Sequence, residues 1–140
     1  MVPAGALSAA DVGAGDGQVA RALARRGVRV IATEAAPVPF HRLRRMAPGV
    51  ECRYGPGLEP LSAGEAEGAV VAGMGGRTIA SILGRGAPCA SAMRWLVLQP
   101  QQRAQDLERW LAGSRYRVRR AEWAVERSRL YRVLLVEPPR

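Results

Sequence analysis

The residues of this sequence best suited to chemistry form a glycine-rich turn, DVGAGDG, at positions 11–17. A short apolar run ends at Asp11, three glycines follow at alternate positions, and a helical pattern comes next. Glycine has no Cβ, so the backbone can take positive φ and come close to a ligand, while the start of a helix offers free N–H groups. We therefore predict a strand-loop-helix nucleotide site in which Gly13, Gly15 and Gly17 bind a cofactor.

The spacing and charge of this turn favour a cationic methyl donor over a dinucleotide. The glycines read G-x-G-x-G, whereas dinucleotide sites use G-x-G-x-x-G with the pyrophosphate at the helix start. Asp11 and Asp16 carry negative charge that would repel a pyrophosphate and attract the amino and sulfonium groups of S-adenosylmethionine. Glu34, at the end of the second predicted strand, is placed to accept hydrogen bonds from both ribose hydroxyls. The cofactor predicted from these residues is S-adenosyl-L-methionine.

Short apolar runs alternate with amphipathic segments, which indicates βαβ units around a mostly parallel sheet. The expected strands are residues 9–12, 28–33, 50–53, 69–72, 95–98, 117–124 and 131–136. The expected helices are residues 18–26, 38–46, 78–83 and 102–111. Only residues 126–129 separate the last two apolar runs, which predicts an antiparallel hairpin. We expect one α/β domain over residues 1–140, with the Rossmann-like, seven-stranded sheet of class I methyltransferases and helices on both faces.

Composition and charge narrow the class of protein. Hydrophobic residues make up 48% of the 140 and charged residues 24%, as in globular domains. No apolar run approaches the length that a membrane-spanning helix needs, and the start lacks a signal-peptide pattern, so we expect no membrane association and a cytoplasmic protein. The two cysteines lie apart from any histidine cluster, which disfavours a metal site.

A net charge of +9 favours contact with nucleic acid. Four arginines are the predicted phosphate contacts: Arg42, Arg44 and Arg45 on the second helix, and Arg77 after a later glycine cluster. The charge therefore predicts a nucleic-acid partner.

Four segments carry a resemblance to a known family: VVAGMGG at 70–76, LQPQ at 98–101, RYGPGL at 53–58 and RLYRVLLVE at 129–137. In this order they resemble the TrmK family of bacterial tRNA (adenine-N1) methyltransferases. The resemblance implies a Rossmann-like domain that methylates N1 of the adenine at position 22 of tRNA with S-adenosylmethionine. We expect the chain to lack that family's C-terminal helical domain. In an ungapped match the family's Asp-His pair falls on Gly15-Asp16.

Within that resemblance, Ala72, Gly73 and Met74 are expected at the cofactor, beside the groups of the glycine-rich turn. Methyl transfer needs the reactants aligned rather than a covalent nucleophile, and a nearby acid stabilises the charge that moves to the base. The predicted catalytic residues are Asp16 for that charge, Gly73 in an open floor shared with Gly75 and Gly76, and Gln99, which either bonds the base or caps the next helix.

Other functions fit the same residues. The fold supports a methyltransferase of a small molecule or a protein, because fold does not fix the substrate. A non-catalytic RNA-binding relative is a third interpretation. The tRNA species, the methylated atom and the oligomeric state stay open.

Overall fold

Strands and helices alternate along the chain in the computed structural model, which describes residues 1–140. The strands are β1 Ser8–Val12, β2 Arg29–Glu34, β3 Glu51–Tyr54, β4 Gly68–Gly75, β5 Trp95–Gln102, β6 Arg117–Glu126 and β7 Arg129–Glu137. The helices are α1 Gln18–Arg25, α2 Pro37–Met46, α3 Gly76–Arg85, α4 Ala87–Ser91 and α5 Ala104–Ala112.

All seven strands form one sheet in the order β3-β2-β1-β4-β5-β7-β6. The first five are parallel, and β7 runs antiparallel to β5 and to β6. The predicted mostly parallel sheet with a C-terminal antiparallel hairpin is confirmed. The carboxyl ends of β1, β2, β4 and β5 therefore meet at one edge of the sheet, where ligands bind in open α/β folds.

The sheet is covered by helices on both faces, and side-chain alternation along the strands divides the core in two. Ala10 and Val12 face a cluster that includes residues of α3, α4 and α5, whereas Ala9 faces a cluster with residues of α1 and α2. In α5, Leu107 and Leu111 are spaced four apart and are fully buried. Each such leucine contributes about 2 kcal/mol through the hydrophobic effect. None of the helices is long and apolar enough to cross a membrane.

Most predicted boundaries differ from the structure by one to three residues, and three differences have a clear physical reason. β5 continues to Gln102, because that residue pairs with Gly75, so α5 begins at Ala104 and not at residue 102. The short helix α4 was not predicted, since five residues are too few for a helical pattern. The hairpin connection is two residues and not four: Arg127 and Ser128, both with positive φ.

The two ends of the sheet differ in burial. The central strand β1 and the first half of β4 are largely buried, whereas all ten residues of the edge strand β6 are exposed. The tryptophans follow this division: Trp95 is buried, Trp110 packs against the core, and Trp123 on β6 is exposed. Packing therefore constrains the centre of the sheet far more than its C-terminal edge.

Candidate functional site

A cavity of about 520 Å³ opens at the carboxyl edge of the sheet, within the size range of small-molecule sites. We call it the edge cavity. Its lining comes from the ends of four strands and from α3: Val12 and Gly13 at the end of β1, Glu34 and Ala35 at the end of β2, Gly55–Glu59 after β3, Gly73 and Met74 of β4, Thr78, Ser81, Ile82 and Arg85 of α3, and Gly86. Of the residues predicted to form the site, the structure brings Gly13, Glu34, Gly73 and Met74 together here.

Four glycines of the edge cavity adopt backbone conformations that other residues rarely take, among them Gly13 and Gly73. Gly13 has a φ of +67°, and a Cβ there would lie 2.9 Å from Cε of Met74. Gly73 has a φ of +77°, and a Cβ there would project into open space. Left-handed backbone costs a residue with a side chain roughly 1 to 2 kcal/mol. Glycine at both positions leaves the backbone accessible from the cavity.

The carboxylate of Glu34 joins the glycine-rich turn to the β2–α2 connection. Its Oε1 accepts a hydrogen bond from the N–H of Gly15 at 3.0 Å, and its Oε2 accepts one from the N–H of Ala36 at 2.8 Å. Each carboxylate oxygen has a second lone pair, so both oxygens can still accept a bond from a ligand. The side chain is thus fixed in place at the cavity with acceptor capacity left over.

A second contact joins the ends of β4 and β5. The N–H of Gly73 donates a hydrogen bond of 2.9 Å to Oε1 of Gln99. The alternative prediction that Gln99 caps the next helix is wrong, because Arg103 is the N-cap residue of α5 and no side chain caps it. With its oxygen occupied, the carboxamide of Gln99 has its amino group left to donate.

Asp11 is buried behind the turn and does not line the edge cavity. Its side chain shares the sheet face of Ala9, beneath α1, and the residue is 3% exposed. Burial raises the pKa of the Asp11 carboxyl to about 7, with a smaller contribution from the charge of Glu34, while the N–H of Ala20 bonds to it. Oδ2 has no hydrogen-bond partner. The negative charge predicted at Asp11 is therefore partly neutralised, because desolvation destabilises the charged form of a buried carboxyl.

The other residues of the turn lie at different depths. Gly17 has a φ of +87° and is buried against α2, where a Cβ would lie 2.9 Å from Cδ1 of Leu43, so backbone conformation and helix packing explain its lack of a side chain. Gly15 reaches the site through its bond to Glu34. Asp16 is exposed at the start of α1, and neither it nor the half-buried Ala72 lines the edge cavity.

The expected open floor after β4 is smaller than predicted. Gly76 is buried, and a Cβ on it would lie 2.1 Å from the backbone oxygen of Arg103. This glycine permits close packing of α3 on the start of α5, so it offers no surface to a base. Gly73 is exposed and Gly75 is half-buried.

The four arginines predicted to contact RNA are all exposed, in two environments. Arg42, Arg44 and Arg45 on α2 form no salt bridge. Arg77 at the start of α3 is bound through Nε to Asp106 at 2.9 Å. An exposed ion pair of this kind is weak, so Arg77 can exchange it for another anion at little cost.

Sequence reasoning did not assign the cavity residues after β3 and on α3 to the site. The turn 55–58 was noted only as part of the family resemblance, and in the structure the N–H of Gly55 bonds the backbone oxygen of Glu34, and Thr33 donates to the oxygen of Gly57. On α3 the lining positions 78, 81, 82 and 85 follow helical spacing, but their mixed polarity gives no hydrophobic pattern.

Comparisons with known proteins show which family this chain resembles. Residues 1–134 match the family described as Methyltransferase domain. The tRNA (adenine(22)-N(1))-methyltransferase of Bacillus subtilis (strain 168) is 36% identical over 88 residues, which are 63% of this chain and 37% of that protein.

Solved structures show the same similarity. The crystal structure of the B. subtilis tRNA methyltransferase TrmK has a TM-score of 0.87 and 31% identity, over 98% of this chain and 62% of that one. Sp1610 of Streptococcus pneumoniae, in complex with S-adenosyl-L-methionine, has a TM-score of 0.87 and 28% identity, over 96% of this chain and 67% of that one. The chain spans less than two thirds of the length of the curated B. subtilis relative and of the B. subtilis crystal structure.

The resemblance to TrmK that the sequence motifs predict is confirmed, together with the Rossmann-like methyltransferase fold. Because the family match extends over nearly all of the 140 residues, the chain belongs to the methyltransferase-domain family.

Proposed function

We propose that this chain binds S-adenosylmethionine in the edge cavity and transfers its methyl group to tRNA, at N1 of the adenine at position 22. The observation that carries the proposal is the Glu34 carboxylate, held by two backbone N–H groups beside a turn that requires glycine at Gly13. The similarity to TrmK supports the substrate. We propose one catalytic domain over residues 1–140, acting in the cytoplasm.

The residues of the edge cavity fit this cofactor. Glu34 has acceptor capacity for the two ribose hydroxyls, and the backbone at Gly13 and Gly73 is open to close approach. Two carboxylates, Glu34 and Glu59, and one guanidinium, Arg85, are the charged groups of the lining, so the cavity suits a ligand with cationic groups. Leu58 and Ile82 offer apolar surface to a flat base, and Met74 also lines the cavity. Gly15 acts through Glu34, and for Asp11, Gly17 and Ala72 cofactor contact stays a prediction.

The proposed reaction requires little acid–base catalysis by the protein. When bound, the cofactor supplies an electrophilic methyl carbon on a sulfonium, and N1 of neutral adenine has a lone pair for it. Residues must align the base and exclude water. Gln99, fixed by its bond from Gly73, has an amino group free to donate to a ring nitrogen. Asp16 is exposed at the same edge, where its carboxylate would stabilise positive charge on the methylated ring.

The RNA would be held mainly through its phosphates. We propose contacts from Arg42, Arg44 and Arg45 on α2 and from Arg77 on α3, all of them exposed. A net charge of +9 predicts that binding weakens steeply as salt rises. Since N1 of adenine takes part in base pairing, the target must be splayed out of the RNA structure before it reaches the cavity.

A radiolabelled methyl-transfer assay on unmodified tRNA tests the proposal. The chain should label tRNA with adenosine at position 22 and not a tRNA that carries guanosine there. Asp16→Ala and Gln99→Ala should each lower kcat about tenfold or more, with unchanged affinity for S-adenosylhomocysteine by calorimetry. Glu126→Gln, an exposed change on β6, is the matched control. Cofactor binding without any transfer would favour the non-catalytic alternative, and transfer to a small molecule or protein alone would reject the tRNA substrate.

A further inference from the structure

A second groove, of about 510 Å³, lies beside the C-terminal hairpin. We call it the hairpin groove. It is lined on one side by the β5–α5 segment, Pro100–Gln105 and Glu108, and on the other by Trp123, Leu130, Tyr131 and Arg132. It shares no residue with the edge cavity. The first residue of its lining, Pro100, follows Gln99 directly.

One side of the hairpin presents apolar side chains that nothing in the chain covers. Trp123 pairs across the strands with Arg132, and Val125 pairs with Leu130, so these four side chains share one face. The exposed fractions are 64% for Trp123, 72% for Val125 and 65% for Leu130. Large exposed apolar groups that lie together mark interaction sites.

The indole of Trp123 is held in position while it stays exposed. The guanidinium of Arg132 lies 5.1 Å from the ring centroid, and its Nε bonds Oε1 of Glu108 at 3.3 Å. The ring therefore has a fixed support from α5 through Arg132. An exposed, oriented aromatic ring is the group on which nucleic-acid bases stack.

The polar groups of the groove suit the edge of a base. Gln101, Gln102 and Gln105 are exposed, and their carboxamides have no hydrogen-bond partner within the chain. Each carboxamide offers both a donor and an acceptor, the combination that reads an unpaired base. The hairpin is also strongly basic: residues 117–132 contain six arginines and two glutamates.

The hairpin turn lies at the same edge as the proposed reaction. Because β7 is antiparallel to both β5 and β6, the strands β5 and β6 run in the same direction and end at one edge. The turn residues Arg127 and Ser128 and the next residue, Arg129, therefore extend from the edge at which Gly73 and Gln99 meet. A nucleotide in the hairpin groove would be close in the RNA chain to one at Gln99.

We propose that the hairpin groove binds an unpaired nucleotide of the RNA substrate that flanks the target adenine. The base stacks on Trp123, its edge bonds to the glutamine carboxamides, and neighbouring phosphates face Arg127 and Arg129. This inference rests on the proposed function and adds a recognition surface to it. The groove selects RNA over a protein partner because its aromatic ring and amides are bordered by cations rather than by a continuous apolar rim.

The test measures binding of a labelled, unstructured oligoadenylate RNA by fluorescence anisotropy. Trp123→Ala should weaken binding about tenfold, the loss expected from one stacked base. Trp123→Tyr keeps a ring and should restore most of the affinity. Val118→Ala removes another exposed apolar side chain of β6, outside the groove, and should leave affinity unchanged. Equal affinity for Trp123→Ala and the unmodified chain would overturn the proposal.

Two further measurements separate this proposal from other outcomes. Sedimentation of the free chain should show a monomer at all concentrations. Association that rises with concentration and that Trp123→Ala abolishes would mean that the groove binds a second copy. Methyl transfer to tRNA is measured on the same variants: an intact chain without transfer, but with Trp123-dependent RNA binding, would reject the proposed function and keep the groove. Transfer with Trp123-independent binding would reject the groove and keep the function.

Discussion

The centre of the sheet and its C-terminal hairpin differ in how far side-chain packing holds them in place. In β1 the residues from Ala9 to Val12 are all buried, and the side chains are small because helices pack on both faces. In β6 all ten residues are exposed, and β7 is the only strand that pairs with it. Packing accounts for almost every residue of the first region and for almost none of the second. Chemistry-bearing residues of the hairpin are therefore better explained by contact with a partner.

The largest predicted effect concerns the buried centre of the sheet, where the carboxyl of Asp11 should make the free energy of unfolding depend on pH. Its pKa is raised to about 7 from 3.8 by burial, so its contribution to stability is present below about pH 4 and is lost as the pH rises to about 7. Relative to Asp11→Asn, the chain should lose about 4 kcal/mol of unfolding free energy over that range. Urea unfolding at a series of pH values measures the difference. A difference that does not change with pH would mean that the carboxyl is solvated.

The next effect is a packing change at the junction of α3 and α5. Gly76→Ala places a Cβ 2.1 Å from the backbone oxygen of Arg103, which cannot move without shifting the start of α5. We expect a loss of about 3 kcal/mol in unfolding free energy. The matched control is Gly5→Ala, because a Cβ there meets no atom within 4 Å. Equal stability of the two variants would show that the junction is loosely packed.

A smaller effect is expected on cofactor binding. Glu34→Gln replaces one acceptor oxygen by an amino group, which cannot accept from the N–H of either Gly15 or Ala36. Affinity for S-adenosylhomocysteine, measured by calorimetry, should fall about 30-fold, as for the loss of a charge-assisted bond. Glu126→Gln on the exposed strand should not change it. Unaltered affinity in Glu34→Gln would place the cofactor elsewhere.

The smallest effect concerns the hairpin, where binding and not stability should change. The double variant Arg127→Ala, Arg129→Ala should weaken tRNA binding about fivefold and reduce the slope of log affinity against log salt by about two. Stability should stay within about 0.5 kcal/mol of the unmodified chain. Arg94→Ala, just before the amino end of β5, is the control arginine. An unchanged salt slope would mean that the tip does not face phosphate.

The sequence predicted the sheet well because its physical signals are local. Apolar runs that alternate with amphipathic segments predicted all seven strands, and the brief gap at residues 126–129 predicted the hairpin. Strand ends were less predictable, since Gln102 belongs to β5 only through its pairing with Gly75 on a distant segment. The polar residues at the end of β5 show no alternating apolar pattern that would predict this pairing.

The candidate site was predictable in part. Gly13, Glu34 and Gly73 lie at or near the carboxyl ends of strands, and these ends meet at one edge, so topology alone brings them together. The sequence could not show whether a glycine faces a ligand or a neighbouring helix, and Gly17 faces Leu43. Nor could it show the depth of Asp11, which depends on α1 covering that side of β1.

The bonds from Gly15 and Ala36 to Glu34 have a consequence for selectivity. Binding of a nucleoside to this carboxylate costs little side-chain entropy, because the two backbone N–H groups already hold the side chain in one orientation. Both oxygens stay in one orientation, so adjacent sugar hydroxyls meet two acceptors at once. With a deoxyribose analogue, one of these oxygens would keep only its backbone N–H partner, and the pocket would thereby discriminate between two sugars by a single oxygen atom.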